Sequence, residues 1–248
     1  MRTLIWYIYF WGYLLLKWPL LHKGLKALEA GDWETSDQMA DKYVPDWASK
    51  VMRMAGVTIE THGLENIPKD RPCVFAANHR SYYDIPVMLT QLDKPHALVA
   101  KKEINHIPLV RGWMRMLHCV FLDREDPRKA MRALNEATEN LKKGYSVSIF
   151  PEGTRNKGKE GTVQEFKSGA FRIASKAKAP VVPVAISGTR AIFEDNHMLM
   201  HPSHVVVRIL PPIETAELSR DELKTLPEQV REVIEKNLEV NRKAAEQA

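Results

Sequence analysis

A histidine directly after a short apolar run, with an aspartate five residues later, can set an imidazole and a carboxylate at one mouth of a β-sheet. Residues 74–77 read VFAA and are followed by Asn78-His79-Arg80-Ser81-Tyr82-Tyr83-Asp84. In that arrangement Asp84 can fix the tautomer of His79 and stabilise the imidazolium formed when the other ring nitrogen takes a proton from an alcohol. The pair has no nucleophile of its own. A second reading stands beside it: Ser81-x-x-Asp84 ahead of an apolar run is also a helix capping box, in which Asp84 only accepts from backbone amides. Both remain open at this level.

The second group is Phe150-Pro151-Glu152-Gly153-Thr154-Arg155, which opens into the basic loop Asn156-Lys157-Gly158-Lys159. Gly153 to Lys159 fits GxxxxGK, but Glu160 stands where a phosphate-binding loop needs Ser or Thr to hold magnesium, so nucleotide hydrolysis is rejected. A glutamate, a flexible glycine backbone and an arginine at one sheet edge suit the grip of a polar, anionic group. The plain alternative is a charged surface turn. Two more apolar runs end in cations, Lys101-Lys102-Glu103 and Asp123-Arg124. In a mainly parallel sheet the carboxyl ends of the strands share one edge, which can bring Lys101, Arg124 and Arg155 near His79; taken singly, each reads first as a solvated charge.

Other chemistries lack their residues. There is no GxSxG elbow, and neither Cys73 nor Cys119 has a histidine beside it in sequence, so direct attack by an acceptor alcohol is simpler than an acyl-enzyme. The cysteines form no CxxC, which points to a reducing, cytosol-facing compartment. His201-x-x-His204 reads as a loop rather than a zinc site. No metal is called for.

The elements that must carry these residues follow from the apolar pattern. After Gly56 short apolar runs alternate with amphipathic stretches, the signature of an α/β domain. The expected strands are 57–61, 73–77, 97–100, 120–122, 146–150, 181–186 and 205–210. The clearest helix is 127–143, with Asp126 as its cap, Pro127 in its first turn, Ala130, Leu134, Ala137 and Leu141 as its buried stripe, and Gly144 at its end. A solvated, acidic-leaning helix is expected over 221–247, with Leu223, Val230, Val233, Ile234 and Leu238 toward the body. The organisation expected is an N-terminal helical pair over 1–56 and an α/β domain over 57–248.

The 248 residues are 44% hydrophobic and 27% charged, which excludes disorder as the dominant state. The net charge of +5 is uneven: residues 61–212 carry 23 Lys/Arg against 15 Asp/Glu. That block favours an anionic substrate, an acidic carrier protein or an anionic membrane surface. Its cations are scattered, without the interleaved aromatic and basic residues of a strand-binding platform, so nucleic acid is set aside.

Residues 4–21 read LIWYIYFWGYLLLKWPLL, with Lys17 the one charge and seven of the chain's twenty aromatic residues. A bilayer core about 30 Å thick asks for about 20 apolar residues in a helix. This run is marginal, and its Trp and Tyr rings favour the interface. The expectation is a segment lying in one leaflet, ahead of a cleaved signal peptide, a spanning helix or a buried core helix. A second helix over 33–55 can fold back on it.

Taken together, His79 and Asp84 in NHRSYYD, Phe121 to Arg124 in FLDR, Phe150 to Arg155 in FPEGTR, and Val181 to Ile186 in VVPVAI resemble the four ordered blocks of the glycerolipid acyltransferases. The length, the aromatic N-terminal segment and the FPEGTR form are most similar to the bacterial 1-acylglycerol-3-phosphate acyltransferases. HxxxxD alone is weak; four blocks in order across residues 78–186 are specific. The resemblance implies a glycerol-3-phosphate acyltransferase-like fold, a mixed, largely parallel sheet flanked by helices and preceded by an N-terminal two-helix membrane-interface motif.

It further implies transfer of a fatty acyl group from a thioester, acyl carrier protein or coenzyme A, to the 2-hydroxyl of lysophosphatidic acid, giving phosphatidic acid at the cytoplasmic face of the cell membrane. No cofactor is implied beyond that co-substrate. On the same resemblance His79 is the general base and Asp84 its orienting group. Arg124, with Lys101, binds the acceptor phosphate, and Glu152, Gly153 and Arg155 match positions linked to acceptor binding and site architecture. Pro183 is structural or shapes the acyl site. Lys167 and Gly169 resemble a segment common after the third block. Asn156 departs from the family's frequent serine. Another acceptor, such as glycerol 3-phosphate or a different lysophospholipid, and a non-catalytic membrane-surface binder are the competing readings.

Overall fold

The computed structural model describes residues 1–246. The chain opens with three helices, α1 (Arg2–Leu16), α2 (Trp18–Glu29) and α3 (Trp33–Ala55), where the apolar pattern pointed to a pair. The aromatic run is broken at Lys17 into two helices bent by 50°. Pro19 is the physical reason. It has no N–H for the Leu15 carbonyl and its ring crowds that turn, so it is tolerated only in the first turn of a new helix.

Among the described residues no single helix is long and apolar enough to cross a membrane, although α1 and α2 together pass by length and composition. The two faces of α1 differ. Leu4, Ile5, Ile8, Leu15 and Leu16 are more than half exposed, whereas Trp6, Tyr13 and Leu14 are buried. The Trp6 indole N–H donates to the Val51 carbonyl at 3.1 Å, which ties α1 to α3. Asp32 caps α3 by accepting from the Thr35 amide, and Gly56 ends it in the left-handed conformation that glycine adopts without steric cost.

Seven strands follow: β1 (Val57–His62), β2 (Val74–Ala77), β3 (His96–Lys101), β4 (Val120–Leu122), β5 (Ser146–Ile149), β6 (Val181–Ser187) and β7 (Ser203–Ile209). Each lies within two residues of its expected bounds. They form one sheet in the order β1-β7-β6-β2-β5-β3-β4. Pairing is parallel except between β6 and β7, so β1 and β7 run against the other five. The mixed, largely parallel sheet is thus as expected.

Between the strands lie α4 (Asp84–Gln91), α5 (Pro108–Met116), α6 (Pro127–Lys142) and α7 (Gly169–Ala177), and α8 (Arg220–Glu246) closes the described chain. Asp126 caps α6 by accepting from the amides of Arg128 and Lys129. Along α8, Leu226, Val230, Ile234 and Leu238 are buried, while Val233, expected to face inward, is 37% exposed at the margin of that stripe. The expected helix end at Gln247 lies outside the described residues.

The strand period of two divides the core. Val74 and Ala76 of β2 join Ala133, Ala137 and Leu141 of α6 and the inner face of α8 on one side. Cys73, Phe75 and Ala77 face α3 and α4 on the other. Because β2 is covered on both faces it reads as a continuous apolar run. Phe75 is fully buried, so Phe75→Ala would cost about 3–5 kcal/mol. The five co-directional strands β6, β2, β5, β3 and β4 end at one edge, and the candidate residues apart from Pro183 lie at or past those ends.

Candidate active site

His79 and Asp84 meet. The imidazole Nδ1 is 2.8 Å from Asp84 Oδ2. Asp84 is the first residue of α4 and fully buried. Its Oδ2 also accepts from the amides of Arg80 at 2.7 Å and Ser81 at 2.8 Å, and Oδ1 accepts from the Thr189 hydroxyl at 2.6 Å. An oxygen that takes two amide hydrogens is an acceptor, so His79 Nδ1 carries the proton in this bond and Nε2 is the ring nitrogen left for other partners. The two sequence readings of Asp84 are therefore not exclusive: one carboxylate satisfies the turn and orients the histidine. The reciprocal half of a capping box is shifted by one residue: Ser81 Oγ accepts from the Tyr83 amide at 3.0 Å rather than from that of Asp84, and its hydroxyl donates to Glu194 at 2.7 Å.

The second block clasps the first. The Glu152 carboxylate accepts from the His79 amide at 2.6 Å and from the Gln164 amide at 2.9 Å, and the Asn156 amide donates to the His79 carbonyl at 2.7 Å. Glu152 is 3% exposed, and burial pushes its carboxyl above the ordinary range against the pull of those amides. Its contacts are those of site architecture, one of the two roles its position in the third block implied. Both oxygens are occupied by backbone, and Glu152 is not on the cavity wall described below. Gly153 holds the turn with a φ of 72°, and a Cβ there would stand 2.9 Å from Lys167 Nζ. Lys167 in turn donates its amide to the Pro151 carbonyl, and Gly169 opens α7 against Leu134.

A cavity of about 810 Å³ reaches His79. Apolar groups from the N-terminal helices and α5 build much of its wall, among them Trp6, Phe10, Leu14, Trp47, Trp113 and Met114. Lys101, Arg124 and Arg155 stand on the same wall, so the three cations expected to converge with His79 share one cavity with it. Their settings differ. Lys101 is 56% exposed and pairs with Glu103 at 3.0 Å. Arg124 is partly desolvated, which weakens its hold on its proton against the charge of Glu103, yet a guanidinium remains charged. The neighbouring Lys102 binds Asp123 and Glu125, at 2.9 and 2.7 Å, and so anchors the loop that presents Arg124. The Arg155 guanidinium lies 3.6 Å over the Tyr82 ring, with Nη1 3.4 Å from Glu194. Pro183 is buried inside β6 opposite Ala76, away from this wall, which leaves it a structural part.

Sequence reasoning missed several contributors. Phe150, placed at the end of a strand, lies just outside β5 and covers the His79 ring. Thr189 and Glu194 come from the turn after the fourth block and had no motif to mark them. The inward role of Trp6, Phe10 and Leu14 was encoded in their helical spacing, but the surrounding aromatic run masked it.

Comparison with known proteins gives the family of the chain. Residues 58–187 match the Acyltransferase family model. The chain is 36% identical over 181 residues to the 1-acyl-sn-glycerol-3-phosphate acyltransferase of Saccharomyces cerevisiae, covering 72% of this chain and 59% of the yeast protein. It is 41% identical over 170 residues to a chloroplastic protein of that name from Brassica napus, covering 66% and 48%. The chain thus spans about half the length of these relatives. The crystal structure of the 1-acyl-sn-glycerophosphate (LPA) acyltransferase of Thermotoga maritima superposes with a TM-score of 0.79 at 32% identity, covering 98% of both chains. On the matched domain and the shared fold, the chain belongs to the acyltransferase family.

Proposed function

We propose that this protein transfers a fatty acyl group from a thioester to the 2-hydroxyl of 1-acylglycerol 3-phosphate, giving phosphatidic acid. One observation carries the reading: His79, with Nδ1 tied to Asp84, shares a cavity with apolar rings and three cations. The volume of about 810 Å³ falls within the roughly 300–1,000 Å³ usual for small-molecule sites, and its apolar lining suits an acyl chain. The names of the relatives and of the Thermotoga structure support the same acceptor.

In this reading Arg124, assisted by Lys101 and Arg155, holds the acceptor phosphate. The acceptor hydroxyl oxygen attacks the thioester carbonyl carbon while its proton passes to His79 Nε2. The imidazolium is stabilised by Asp84. The tetrahedral intermediate then collapses, the C–S bond breaks, and the departing sulfur takes the proton back from His79 to leave as a thiol. No group of the protein is acylated.

Residues 1–56 serve as the membrane-associating unit and residues 57–248 as the transfer domain. The exposed apolar face of α1 lies in one leaflet at the cytoplasmic side of the cell membrane, where the lysolipid acceptor and a soluble donor, acyl carrier protein or coenzyme A thioester, can both reach the site.

The test is thiol release from acyl-coenzyme A and from acyl carrier protein in lipid vesicles, with and without 1-acylglycerol 3-phosphate, for the parent and His79→Ala. Acceptor-dependent release that falls about 10²- to 10⁴-fold in the variant is expected. Absence of release from both donors by folded parent protein would overturn the reading.

A further inference from the structure

The His79–Asp84 pair has a third member that lies beyond the four sequence blocks. Thr189 is 1% exposed, and its hydroxyl donates to Asp84 Oδ1 at 2.6 Å. Among the described residues it is the donor to that oxygen, while the other three donors, including His79, converge on Oδ2. Three donors fix the position of Oδ2, and the Thr189 bond at Oδ1 adds a fourth restraint at the far oxygen that resists rotation of the carboxylate plane about the Cβ–Cγ bond.

The chain is shaped to deliver this hydroxyl. Asn78, fully buried, clamps the end of β6: its Oδ1 accepts from the Ile186 amide and its Nδ2 donates to the Ile186 carbonyl, each at 2.8 Å. The residue before the catalytic histidine thus fixes the strand that leads to Thr189. Gly188 then turns the chain with a φ of 87°, and a Cβ there would stand 2.2 Å from the His204 carbonyl oxygen, so a side chain at 188 is excluded.

We propose that Thr189 is a positioning residue of the acyl-transfer site, acting through Asp84 to hold the His79 imidazole in line. The inference rests on the general-base reading of His79. A hydroxyl bonded to an ionised, buried carboxylate gives a strong, charge-assisted bond, and its loss leaves Oδ1 without a donor. The effect belongs in turnover, because Thr189 touches the carboxylate and is not on the cavity wall.

The experiment compares the parent, T189V, T189S and H79A in vesicles, with 1-acylglycerol 3-phosphate and whichever thioester supports turnover. T189V should lower kcat about 10- to 100-fold, while the acceptor KM stays within about twofold and the protein stays folded with a melting temperature lowered by the lost bond. T189S, which keeps the donor, should retain kcat within about threefold. If T189V fails to fold, T189A removes the hydroxyl without a methyl in its place and carries the same expectation. Parent-like kcat in T189V, or T189S falling as far as T189V, would overturn the role of the hydroxyl. So would a change confined to KM. H79A separates the two levels: parent-like turnover in H79A removes the general base itself, whereas loss in H79A with retention in T189V removes Thr189 alone.

Discussion

The Phe150 ring lies face to face with the His79 imidazole, with centroids 4.0 Å apart and planes 17° apart. Asp84 fixes the imidazole at one atom, and Phe150 fixes the plane of the ring. Phe150→Leu keeps most of the volume and removes the flat surface. Because small misplacement of a reacting group is costly, this variant is expected to lose about tenfold in kcat. Its melting temperature should stay close to that of the parent, and Phe150→Tyr should retain activity. Steady-state kcat and acceptor KM at saturating donor check this, and an unchanged kcat in the leucine variant would assign the stacking no role.

Arg124 and Lys101 share the cavity wall but not the same strength. Lys101 is 56% exposed and already paired with Glu103, whereas Arg124 is partly desolvated and offers a planar fork to a phosphate. Arg124→Ala is expected to raise the acceptor KM about 10- to 100-fold with a smaller change in kcat, and Lys101→Ala to raise it by no more than about fivefold. The reverse order in a saturation series would exchange their roles.

Asp41 of α3 lies near Asp37 and His118. Desolvation first, and then the charge of Asp37, push its carboxyl from 3.8 up to about 6, with His118 pulling the other way. A carboxyl raised on folding gives stability that is complete below pH 3.8 and lost as pH rises through about 6. Asp41→Asn should therefore stabilise the protein above that window, by about 1 kcal/mol after allowance for solvent screening, and leave it unchanged at the acid end. Thermal melts of both proteins across the range measure it; a constant difference at every pH would rule out this titration.

On α1, Ile8 and Leu15 are 65% and 61% exposed and face away from the body. Burying each in lipid is worth about 1.5–3 kcal/mol, so the double change I8D/L15D is expected to weaken vesicle binding by more than about tenfold while the fold is kept. Co-sedimentation with vesicles and a melting curve decide it. Binding equal to that of the parent would move the membrane contact to another face.

Much of this arrangement was legible in advance because it depends on local order. The strands showed as apolar runs, α6 showed through Asp126 and Pro127, and His79 met Asp84 because one tight turn separates them. What escaped depends on long-range placement. Thr189 reaches Asp84 across 105 positions, and Glu194 reaches Ser81 across 113; no periodicity records such a meeting. The contacts of Glu152 escaped as well, because burial turns its carboxylate toward the amides of His79 and Gln164. The N-terminal aromatic run showed its apolar character but not its division, since Pro19 breaks it and Trp6, Phe10 and Leu14 turn inward to the cavity.

The parallel pairing of β1 with β7 sets Val57 opposite Ser203. The separation is 146 residues, as for the Thr58–His204 contact in the same register. At roughly 5–20 residues per second, a ribosome takes about 7–30 s to make that interval. For that time β1 waits as an unpaired edge while the aromatic helices before it are already complete, and unpaired edges invite aggregation. In the membrane-associated reading proposed above, the bilayer is then the first apolar partner within reach of the nascent chain.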